Sequence, residues 1–78
     1  MKEKIIYGKN GPEYMILYGP TGATVFHLRD GVIGTVTSSG VALDKHGRFL
    51  GWNDDVDEGV GLVIANYAAK KAGKYYDD

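Results

Sequence analysis

Asn53-Asp54-Asp55-Val56-Asp57-Glu58-Gly59 places four carboxylates within seven positions, the densest concentration of oxygen ligands in the chain. Calcium loops offer oxygen ligands at alternate positions followed by glycine. This segment lacks the D-x-D-x-D-G order and the distal bidentate Glu, so residues 53–58 are expected to cap a helix, not to hold a cation. His27 lies among apolar strand neighbours and His46 in a turn, and no nucleophile is placed beside either. Ser38-Ser39-Gly40 lacks the G-x-S-x-G strand-turn-helix setting of a hydrolase nucleophile. Gly19-Pro20-Thr21-Gly22-Ala23-Thr24 has the glycines of a phosphate loop without its Gly-Lys-Ser/Thr ending. No enzyme, catalytic residue, cofactor or metal is expected.

Whatever these residues do, a short chain must position them. At 78 residues there is room for one domain. Such a chain buries about 60–65% of its surface and is marginally stable unless something adds to the core. The absence of Cys excludes disulfides and thiolate metal sites, and two His do not make a His-rich site. Oligomerisation remains. Nine Lys and Arg balance ten Asp and Glu, which argues against a nucleic-acid partner. Apolar runs are far too short for a membrane span, and MKEKIIYG lacks an apolar signal-peptide core, so a cytoplasmic protein is expected.

Twelve Gly against two Pro punctuate short β-prone runs: Ile5–Tyr7, Tyr14–Tyr18, Val25–Leu28, Val32–Val36, Val41–Leu43 and Phe49–Trp52. Three junctions share one chemistry, a basic residue, then Asn, Asp or His, then Gly: Lys9-Asn10-Gly11, Arg29-Asp30-Gly31 and Lys45-His46-Gly47. The residue types at both final positions tolerate positive φ, which predicts hairpin turns at Asn10-Gly11, Asp30-Gly31 and Asp44–Gly47.

Beyond residue 55 the period changes. Val60, Val63, Ile64, Tyr67 and Lys71 fall at helical spacing. Asp55 or Asp57 can cap the start, Lys70 and Lys71 suit the last turn, and Gly73 suits the C-terminal stop. Gly59 and Gly61 weaken the first turn, so the helix is expected from about Val60 to Ala72. Leu62, Ala65, Ala69 and Ala72 form a second apolar stripe, and a helix apolar on two sides is usually covered on both. The fold class is therefore α+β: an antiparallel β-meander of five to six short strands and one C-terminal helix, in a single domain over 1–73 with a loose tail over 74–78. Leu62, Ala65 and Ala69 are expected at an interface between copies, with Trp52 as anchor.

Ser39-Gly40-Val41-Ala42-Leu43-Asp44-Lys45-His46-Gly47-Arg48-Phe49-Leu50-Gly51-Trp52 resembles the hairpin of four-fold beta-flower proteins. These are small bacterial and phage proteins in which G-x-V-x-D-x-x-G-x-x-x-G recurs. Here the pattern occurs once, with Ala42 at the valine position. The resemblance implies a β-rich module assembled about a symmetry axis, with no assigned catalysis. The leading expectation is a small non-enzymatic interaction protein that forms homo-oligomers. The alternative is a small binding module for nucleic acid or a small ligand, using the sheet tyrosines and the basic turn residues. Six Tyr occur, four in the first strands and the helix (Tyr7, Tyr14, Tyr18, Tyr67) and two in the tail; Tyr on a small sheet suits base stacking, but without a basic excess it better suits packing.

Overall fold

Glycine spacing converts almost directly into hairpins. The computed structural model describes residues 1–73, and the expected tail over 74–78 lies outside them. Six strands follow in chain order: β1 (Lys2–Gly8), β2 (Gly11–Gly19), β3 (Gly22–His27), β4 (Gly31–Thr37), β5 (Val41–Asp44) and β6 (Phe49–Trp52). They form one antiparallel sheet in the order β1-β2-β3-β4-β5-β6, and the helix α1 (Val56–Lys71) packs on one side. This is the expected α+β meander with its C-terminal helix.

The expected turns all lie at strand junctions, but the positive φ belongs to glycine alone. Gly11, Gly31 and Gly47 have φ of +119°, +83° and +80°, and among the described residues no non-glycine residue has positive φ. Asn10, Asp30 and His46 therefore stay on the ordinary side of the backbone map. One glycine per turn suffices to reverse the chain, so the preceding residue carries no strain.

The helix starts a turn earlier than its glycines suggested. The Glu58 amide donates to Asp55 Oδ1 at 2.8 Å, and Glu58 Oε1 accepts from the Asp54 amide at 3.2 Å. This cap satisfies N–H groups that a helix start leaves unpaired, so the helix begins at Val56 despite Gly59 and Gly61. Gly59 is a contact surface: a Cβ there would sit 2.5 Å from Val36 Cγ1. Gly34 on β4 does the same from the sheet side, with Val63 Cγ1 2.6 Å from its Cβ position. Two glycines thus let helix and sheet approach closely over a core in which Ile16, Val25, Val36 and Val63 are fully buried.

The pairing register sorts the strands into two faces. Tyr14 pairs with His27, Ile16 with Val25, Ala23 with Val36 and Ala42 with Gly51, all on the face under the helix. Ile5 pairs with Met15, Met15 with Phe26, Phe26 with Val32, Leu43 with Phe49 and Val41 with Trp52, all on the opposite face. The shortest extent of the chain is 18 Å, enough for one sheet and one helix. Among the described residues no element covers the second face, and no helix is long and apolar enough to cross a membrane.

Candidate functional site

Two surfaces stand out, on opposite sides of the sheet. The first is the uncovered face. Its row Ile5-Met15-Phe26-Val32 crosses four strands without a charge, and Val41, Leu43, Phe49 and Trp52 form a second apolar group on β5 and β6, joined to Leu17 on β2 through Thr24 and Thr35. Phe49 is 63% and Trp52 75% exposed. Exposed apolar groups gathered on one face in this way often mark an interaction site.

The second surface is a pocket of about 260 Å³ on the helix side, between the β3–β4 turn, the β5–β6 turn and the end of α1. Asp44, at the end of β5, is 8% exposed. Its Oδ1 accepts from the His46 and Arg48 amides, each at 2.9 Å, and its Oδ2 from Arg48 Nε at 3.1 Å. The turn itself closes with the Gly47 amide on the Asp44 carbonyl at 3.0 Å. Burial pushes the Asp44 carboxyl up, but these donors outweigh it and hold the group below its ordinary value. Asp44 therefore pins the β5–β6 turn and fixes where Lys45, His46 and Arg48 stand.

The opposite wall is Tyr67 on α1. Its hydroxyl donates to Asp30 Oδ2, and Lys71 Nζ lies 3.2 Å from the same oxygen. The bond to Tyr67, then Lys71, draws Asp30 down to about 2. Burial and the Asp30 contact push Tyr67 up to about 12, so its hydroxyl stays protonated at neutral pH. Behind it, Tyr67 packs with the imidazole of His27 at 5.0 Å and edge-on to Tyr14 at 6.1 Å. Tyr14 in turn meets His27 edge-on at 5.3 Å. His27 Nδ1 accepts from the Arg29 amide at 3.2 Å, and its Nε2 lies 3.6 Å from Glu13 Oε2. These aromatics are packing groups of the helix face, not an open stacking platform.

Leu62 is half-buried within the chain, its Cδ2 2.7 Å from the Cβ position of Gly51 on β6. Ala65 is exposed and Ala69 half-buried, on the helix, whereas Trp52 lies on the far side of the sheet. The structure does not gather the four into one patch. The second apolar stripe of the helix pointed to Leu62, Ala65 and Ala69, and the open sheet face is a further apolar surface on the opposite side. Its signal was present: strands such as Tyr14-Met15-Ile16-Leu17-Tyr18 are apolar at every position, as expected of strands buried on both faces.

The acidic segment is occupied by the fold. Asp55 and Glu58 serve the helix start, and Asp57 Oδ1 accepts from the Tyr18 hydroxyl at 2.8 Å. Burial, then this bond, pushes Tyr18 up to about 12. Among the described residues no group of three His, Cys, Asp or Glu converges as metal ligands would. Calcium at millimolar concentration should accordingly move the melting temperature by less than about 1 °C. A saturable rise of several degrees in a calcium titration would show that residues 53–58 bind the ion after all.

No protein-family model matches the chain, and no curated protein or solved structure is significantly similar to it.

Proposed function

We propose that the protein is a non-enzymatic interaction module that assembles with copies of itself through the open face of its sheet. The observation that carries this reading is the uncharged row Ile5-Met15-Phe26-Val32, with the exposed Phe49 and Trp52 on the same face at β6. Burying apolar surface contributes about 25 cal/mol per Å². Six strands about 4.8 Å apart, each about six residues long, offer on the order of 500 Å² in projection. Side-chain relief raises that towards the about 800 Å² per partner of a stable protein–protein interface. Two such faces pack as the layers of a β-sandwich do, about 10 Å apart. A second copy suits the surface because each copy lacks a cover for the same patch, the condition for an isologous contact. The resemblance of residues 39–52 to beta-flower hairpins, whose modules assemble about an axis, supports the same reading.

The test is sedimentation across a dilution series, comparing wild type with the Phe49→Glu/Trp52→Glu double variant. Both side chains are mostly exposed, so the variant keeps its fold and its circular dichroism. Wild type should sediment as a dimer or larger at about 100 µM, and the variant should weaken association at least about a hundredfold, because it buries charge without a partner. A wild type of monomer mass throughout the series would dispose of the proposal.

A further inference from the structure

The sheet ends in two edges, β1 and β6, and they differ. β6 has four residues, and a register shift interrupts its pairing with β5. β1 has seven, and α1 packs over β3 to β6, away from it. The irregularity between β1 and β2 places its extra residue, Glu13, on β2, so β1 itself stays regular. Long regular edges invite another strand, and Lys on the edge is one device that sheets use against unwanted pairing. β1 carries Lys2 and Lys4, with Glu3 between them.

One hydrogen bond fixes the direction of the backbone groups on β1. The Leu28 amide donates to the Glu13 carbonyl at 2.9 Å, which makes these two a hydrogen-bonded pair of the β2–β3 ladder. Such pairs alternate with non-bonded ones, so odd-numbered residues of β2 bond to β3 and even-numbered ones to β1. Lys2, Lys4 and Ile6 pair with Tyr18, Ile16 and Tyr14, and therefore direct their amides and carbonyls to β2. The amides and carbonyls of Glu3, Ile5 and Tyr7 point out of the sheet. Among the described residues no strand lies on that side.

We propose that β1 is a self-pairing edge, on which β1 of a second copy lies antiparallel with Ile5 opposite Ile5, joining two sheets into one. The charges on the strand select this register. Centring the pair on Glu3 would set Glu3 against Glu3 and Lys2 against Lys4, and centring it on Lys4 would set Lys4 against Lys4. Like charges directly across a ladder are destabilising. Centring on Ile5 sets Glu3 against Tyr7, Lys4 against Ile6 and Lys2 against Gly8. No like charges meet directly across, and all seven residues pair. A centre further along the strand leaves its first residues unpaired. The Ile5 register also runs the apolar row Ile5-Met15-Phe26-Val32 into the same row of the second copy. This contact is separate from the packing of one open face on another and does not require it.

The Phe49→Glu/Trp52→Glu variant, which removes the face contact, is the background for the test. A strand edge alone buries little apolar surface, so its dissociation constant is expected on the order of 1 mM. ¹H–¹⁵N spectra between about 0.05 and about 2 mM should show shifts gathered in residues 2–8 and none in residues 49–52. Hydrogen exchange at the Glu3, Ile5 and Tyr7 amides should slow as concentration rises. Tyr7 is 69% exposed and Glu3 is exposed, so both can be replaced with the fold and melting temperature kept. Tyr7→Glu would face Glu3 of the second copy twice over and should weaken pairing at least about fivefold. Tyr7→Lys should not weaken it, and Glu3→Lys added to Tyr7→Glu should restore it. Spectra that stay unchanged up to about 2 mM, shifts at both edges from head-to-tail pairing of β1 with β6, or equal weakening by Tyr7→Glu and Tyr7→Lys would each overturn the proposal.

Discussion

Gly34→Ala is expected to lower the unfolding free energy by about 3 kcal/mol or more. The added Cβ would lie 2.5 Å from the Leu43 carbonyl oxygen and 2.6 Å from Val63 Cγ1. Neither can give way cheaply. Leu43 belongs to the short ladder that joins β4 to β5, and Val63 is only 1% exposed, with core on every side. A chain of this size has a total stability near the lower end of the usual 5–15 kcal/mol, so the variant is expected to unfold in part at 25 °C. Gly59→Ala presents the opposing terms separately. It gains about 1 kcal/mol of helix propensity but meets Val36 Cγ1 at 2.5 Å. Val36 is 2% exposed and cannot retreat, so the clash prevails and the net change is a loss of about 1–2 kcal/mol. Gly61→Ala shows the propensity term alone. Nothing lies within 4 Å of its Cβ position, and it should stabilise by about 0.5–1 kcal/mol. Urea denaturation of the three variants should rank them Gly61, Gly59, Gly34 in falling stability. A Gly34→Ala protein as stable as Gly61→Ala would mean that helix and sheet are not in close contact.

The contrast among these glycines shows what can be read from a sequence and what cannot. Gly11, Gly31 and Gly47 announce their turns locally, because a basic residue, a polar residue and glycine between two β-prone runs have one common use. Meander order, strand number and helix type follow from such local signals. Gly34 and Gly59 have the same one-letter code, but their meaning depends on Val63 and Val36, which lie across the interface and far away in the chain. For the same reason Gly59 looked like a weak point in the helix, when it is where the helix touches the sheet. The pocket illustrates the limit more sharply. Asp30, Asp44 and Tyr67 were each visible as turn or helix residues, but their convergence depends on the register of β4 against β5 and the position of α1 over both. The open sheet face was half visible. Apolar residues at every position from Tyr14 to Tyr18 call for cover on both sides, and the described residues hold one helix to supply it.

Asp44→Ala should cost about 2–4 kcal/mol, the second large effect. The carboxylate satisfies the amides of His46 and Arg48, and without it both lose their acceptor in a turn that has no other to offer. A stranded amide costs about 1–3 kcal/mol, towards the lower figure here because His46 and Arg48 themselves are exposed to water. The Arg48 guanidinium adds little, since its side chain is more than half exposed and an ion pair in that setting is worth at most about 1 kcal/mol. Asp44→Asn separates the two contributions. It keeps an oxygen for the amides and loses the charge, so it should cost less than the alanine variant. It should also change the response to acid. The Asp44 carboxyl is held below its ordinary value in the folded chain, so its contribution is complete above the unfolded carboxyl value, near pH 4, and is lost as pH falls through the folded one. The stability gap between wild type and Asp44→Asn should therefore be constant from neutral pH down to about pH 5 and close progressively below about pH 4. Asp30, also drawn down, to about 2, is present in both proteins and cancels from the difference. Urea midpoints measured at a series of pH values decide the matter. A gap that persists unchanged to the lowest pH at which both proteins fold would mean that the charge on Asp44 does not hold the turn.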